Sequence, residues 1–129
     1  MADTRKISEY YTQLAEELIR TEEKLGYLKN APVRIVYLES THKKRGKGKI
    51  IHGQCEKVQE KNKWGIPADF TITIFDPNVA GMSEDQLRVL LFHELLHIGE
   101  DFELAPHDLE DFRYIIDRFG SDWDEIVSE

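Results

Sequence analysis

With 129 residues, 40% of them apolar, the chain has the length of one compact domain, residues 1–129, with a modest core. Its 17 lysines and arginines stand against 25 acids, a formal charge of −8, which argues against nonspecific nucleic-acid binding by the whole surface. No run approaches the roughly 18 apolar residues of a membrane span, the first residues hold no apolar leader, and a lone cysteine, Cys55, excludes an internal disulfide; a cytoplasmic protein is expected.

Residues 5–29 predict one long helix, because Ile7, Tyr10, Leu14, Leu18 and Leu25 recur at helical spacing and Asn30-Ala31-Pro32 stops the pattern. Val33–Ser40 is β-branched and aromatic and predicts a strand. The run Lys43–Lys49, "KKRGKGK", carries five positive charges and two glycines and predicts a solvated hairpin tip. Ile50–Gln59 is the return strand, its alternation putting Gly53, Cys55 and Lys57 on one face and His52, Gln54 and Glu56 on the other. After a turn over residues 60–67, Asp69–Pro77 is the clearest strand, with Phe70, Ile72 and Ile74 on one side and Thr71, Thr73 and Phe75 on the other. Ser83 with Gln86 three residues on predicts a capping box, and the helix it opens runs to about Ile98. A last helix is expected from about His107 to Phe119, stopped by Gly120. The elements describe an α+β fold with a sheet of about three strands.

Chemistry concentrates in "HELLH", residues 93–97. Each helical residue turns about 100°, so His93 and His97 share a face within reach of one metal ion. Leu87, Leu91, Leu95 and Ile98 are expected on the opposite, packed face. Glu94 lies too close to serve as a third ligand; it suits a base that takes a proton from a metal-acidified water. A catalytic zinc site wants three protein ligands and an open position. His107, at the start of the next helix, leads the candidates for the third. Asp108 is its rival, either as a ligand or as the carboxylate that orients a ligand histidine, and Glu100, Asp101, Glu103, Glu110 and Asp111 also compete.

At these residues the chain resembles the phage metallopeptidases, within the wider group of SprT-like zinc proteases. "DFTITIFDP", "MSEDQLRVLLFHELLHI" and "PHDLEDF" follow in that family's order, over about residues 33–119. The resemblance implies a minimal zincin-like domain: a small sheet packed on the HExxH helix, Zn2+ in the cleft on His93, His97 and His107, Glu94 catalytic, a protein or peptide substrate, and a phage or prophage protein acting in the host cytosol. The chain has no evident zinc ribbon or DNA-binding extension. The alternative is a phage regulatory module in which the zinc is structural.

The remaining candidates carry less weight. The basic loop Lys43–Lys49 would contact nucleic-acid phosphate, but charges without interleaved aromatics fit a solvated tip better. His52 and Cys55 fall on opposite strand faces, so a shared metal is not expected. Tyr114 is a candidate donor to a developing oxyanion. Trp64 and Trp123 are expected in the core.

Overall fold

The computed structural model describes residues 4–46, 49–59 and 68–104. The segment expected to form the last helix, with His107, Asp108, Glu110, Asp111 and Tyr114, the tail with Trp123, and the segment with Trp64 lie outside the described residues.

The described chain holds six strands and three α-helices, with five of the strands in succession among the described residues. Strand β1 is Arg5–Ile7, α1 is Glu9–Thr21 and a 3-10 helix spans Glu23–Leu28. Then come β2 (Ile35–Ser40), β3 (Arg45–Gly46), β4 (Lys49–Ile50), β5 (Gly53–Lys57), β6 (Phe70–Phe75), α2 (Asp76–Val79) and α3 (Glu84–Leu95). The fold is α+β, but its main sheet has four strands, not three, in the order β1-β2-β6-β5. β2 and β6 are parallel, while β1 and β5 run antiparallel at the two edges. β3 and β4 form a separate two-stranded hairpin.

The extra strand comes from the segment expected to begin the first helix. Ser8 separates the two: its N–H donates to the Tyr37 carbonyl at 2.8 Å, and its hydroxyl accepts from the Tyr11 N–H at 3.1 Å, capping α1. Residues before Ser8 are thereby drawn into pairing with β2. At the other end Glu22 takes an extended conformation, which ends α1 and starts the tighter 3-10 turn.

β6 is central and buried along its whole length. Phe70, Ile72 and Ile74 join Tyr37, Leu14, Leu18, Leu25, Leu91 and Leu95 in the core beneath the helices. Thr71, Thr73 and Phe75 occupy the opposite face, as the alternation predicts. There Arg5 and Lys44 stand over the Phe75 ring, at 5.7 and 5.6 Å from its centroid. Among the described residues no helix is long and apolar enough to cross a membrane.

Candidate functional site

The site is built at the C-terminal end of α3. Ser83 and Gln86 close the predicted capping box, Ser83 Oγ accepting from the Gln86 N–H at 3.2 Å and Gln86 Oε1 from the Ser83 N–H at 2.9 Å. The helix stops at Leu95, short of the expected Ile98. His97 therefore lies in the following turn, its N–H donating to the Glu94 carbonyl at 3.1 Å. The two imidazoles still meet: the His93 and His97 ring centroids are 5.2 Å apart and nearly perpendicular, at 81°. Both rings are half-buried.

Leu91, Leu95 and Ile98 are buried and Leu87 packs against the core, as expected of the packed side, but burial extends further round α3 than a two-sided split. Val89, Leu90, Leu91 and Phe92 are buried in succession, because α1 and the sheet enclose the helix from two directions. Glu94 is on the enclosed side, not on the outer surface, and is only 5% exposed. Its Cγ lies against Gly53 of β5, where an added Cβ would sit 3.6 Å away. No donor among the described residues bonds its carboxyl group. Burial alone raises that carboxyl to about 8. A group that titrates near neutrality can both accept and return a proton there.

Gly53 is a position of close approach beside Glu94 that the sequence alone did not mark. A Cβ there would also come within 3.2 Å of the Thr73 carbonyl oxygen and 3.1 Å of Ile74 Cδ1. Glycine lets β5 approach both its neighbour strand and Glu94. Cys55, on the same face, is half-buried, and its thiol is pushed up to about 12, chiefly by burial and then by the Glu94 charge.

Beyond His97 the chain turns back at once. The Gly99 N–H donates to the Glu103 carbonyl, Phe102 adopts a left-handed conformation (φ 59°), and Leu104 pairs with Ile98. Phe102 packs against the core, which offsets the strain of that backbone. The turn engages the acids in it: Asp101 Oδ1 accepts from the Glu103 N–H at 3.1 Å, and Glu103 pairs with Lys57. Among the described residues no three histidines, cysteines or acids cluster as a metal would require. Glu100, Asp101 and Glu103 thus do not join His93 and His97, and the described part of the site supplies two imidazoles and one buried carboxylate.

A family model described as "Putative phage metallopeptidase" matches residues 5–129. The chain belongs to this phage metallopeptidase family. The resemblance carried by residues 33–119 thus extends over the first helix as well. Neither a curated protein nor a solved structure matches the chain. Family membership makes it a metallopeptidase in kind, with a metal cofactor and a protein or peptide substrate.

Proposed function

We propose that the chain is a single zincin-like domain that hydrolyses peptide bonds with one zinc ion. In this reading His93, His97 and His107 hold the metal, Asp108 orients a ligand or replaces one, and Glu94 carries the proton. The observation that carries the reading is Glu94, 5% exposed and with no donor to its carboxyl group among the described residues, adjacent in the chain to one of two facing imidazoles. The spacing of those rings supports it. Two imidazoles bound to one tetrahedral zinc through nitrogens at about 2.05 Å have centroids about 5 Å apart, close to the 5.2 Å between His93 and His97. Chain length supports His107: it is three residues beyond Leu104, a reach of at most about 10 Å from a residue paired with Ile98.

The bound metal would supply Lewis acidity toward the scissile carbonyl and an acidified water. Glu94 would hold a proton from that water on its carboxylate and pass it to the leaving amine. Burial against Gly53 of β5 limits the bulk water that competes for it. Tyr114 is assigned as a donor to the developing oxyanion.

β5 is the edge assigned to the substrate. Phe75 donates to the His52 carbonyl at 3.0 Å, and Val58 donates to the Asp69 carbonyl at 2.8 Å. Given the antiparallel register, residues 52, 54, 56 and 58 bond inward to β6. The main-chain groups of Gly53, Cys55 and Lys57 then point to the outer edge, where no strand lies among the described residues. An extended peptide added there runs past Glu94.

The test is Glu94→Gln, which keeps the shape and removes the basic carboxylate. It should bind about one zinc per chain, like the parent. Hydrolysis of casein or a peptide library should fall by roughly 10²–10⁴-fold. Equal cleavage by parent and variant would sink the mechanism. A metal with four protein ligands and no cleavage would favour the structural-zinc module.

A further inference from the structure

We infer that the β3–β4 hairpin makes this site selective for peptides with acidic side chains at the Gly53 end of β5. The inference rests on the peptidase reading above.

The hairpin springs from the same end of the sheet as Gly53. The Ile51 N–H donates to the Lys44 carbonyl at 3.1 Å, and Asn78 Nδ2 holds the carbonyls of Lys44 and Ile51 at 2.9 and 2.7 Å. The base of the hairpin is thus tied to α2, and its cations are presented from a fixed frame. Lys44 turns back to Gln54 and the Phe75 ring. Lys43 and Arg45 are exposed, and neither pairs with a carboxylate among the described residues. In a chain with 25 acids and 17 bases, such segregation leaves a positive end on an otherwise acidic molecule.

β5 carries no comparable charge of its own. Glu56 is 3.6 Å from Arg5, and Lys57 is paired with Glu103. The far end of the edge is compensated and the Gly53 end is basic. Gly53 is two positions after Ile51, about 7 Å of extended chain from the base of the hairpin. Screening at physiological salt acts over roughly 8 Å, so the exposed cations of the hairpin act on the Gly53 end of the edge and not on its far end. A carboxylate on a bound peptide near the Gly53 position is attracted there, and a basic residue is repelled. A nucleic acid fits less well, since residues 43–45 have no interleaved aromatic for a base to stack on and the net charge of −8 opposes a long polyanion.

Fluorescence anisotropy with the zinc-loaded full chain tests this, using two labelled peptides of equal length, one uncharged and one with a short run of glutamates. The acidic peptide should bind about tenfold tighter at low salt, and the advantage should shrink as salt rises. Lys43→Gln/Arg45→Gln should erase the advantage and leave the uncharged peptide's affinity unchanged. Equal affinities, no binding of either peptide, or an advantage that survives in the double variant would overturn the inference. So would a single-stranded oligonucleotide that outcompetes the acidic peptide through the same two residues. Cleavage of an uncharged peptide library by parent and Glu94→Gln separates the two proposals. Glu94-dependent cleavage without acid preference removes this inference and keeps the peptidase; acid preference without such cleavage does the reverse.

Discussion

Glu94 sits where a leucine would pack better. It is 5% exposed, its Cγ lies against Gly53, and no donor among the described residues bonds its carboxyl group. Metal-free Glu94→Leu should therefore be more stable than the parent by about 1–2 kcal/mol, a Tm rise of several degrees, while losing hydrolysis altogether. Calorimetry in chelator checks it; a Tm that falls would mean the carboxyl is structurally bonded and not held for chemistry. Cys55, on the same face, gives a pH-dependent readout of that enclosure. Its thiol is raised to about 12, so it stays protonated at pH 8 and gains reactivity only as pH climbs toward that value. Alkylation at pH 8 should be roughly 40–100-fold slower than for a free thiol, after allowing for the greater nucleophilicity of a high-pKa thiolate. A rate near that of a free thiol would show that the Gly53–Cys55 face is open to water.

The capping box at Ser83 sets the start of α3 and, through the rigid helix, the height at which Glu94 meets β5. Ser83→Ala removes one of its two bonds and should cost about 1 kcal/mol by denaturant titration, with zinc stoichiometry unchanged. A cost near zero would mean that packing alone fixes α3. This start was legible because Ser, Gln and their spacing act locally. Central β6 was legible for a related reason, as its alternation survives burial on both faces. β1 was not legible. Arg5-Lys6-Ile7 is short and charged, Ile7 extends the periodicity of α1, and only Ser8 bonding to Tyr37, a residue far along the chain, makes it a strand. The end of α3 was missed for a similar reason: the leucine pattern continues past Leu95, but Ile98 is taken by its bridge to Leu104. His93 and His97 could be read from sequence as a facing pair, because a turn after the helix keeps them together. The burial of Glu94 could not, since it depends on a glycine in a strand forty residues earlier.

Across the whole molecule, the order β1-β2-β6-β5 puts the hydrophobic strand in the middle and leaves the antiparallel strand nearest Glu94 at an edge. Its register divides β5 into residues that hold the sheet and residues that face outward, and proline tells them apart. The Gln54 N–H is directed at Thr73, so Gln54→Pro breaks the β5–β6 ladder and should cost about 3 kcal/mol or more, with loss of cooperative unfolding. The Cys55 N–H is directed at the open edge. Cys55→Pro keeps every bond to β6 and should cost much less, with Cys55→Ala as the control for the lost thiol. If β5 aligns the substrate, Cys55→Pro removes a donor that only the peptide uses. Its KM should rise by about tenfold or more with zinc content intact, while Cys55→Ala stays close to the parent. A Cys55→Pro protein that folds, binds zinc and keeps its KM would free β5 of any part in binding. The acid preference assigned to the hairpin would then lose its frame.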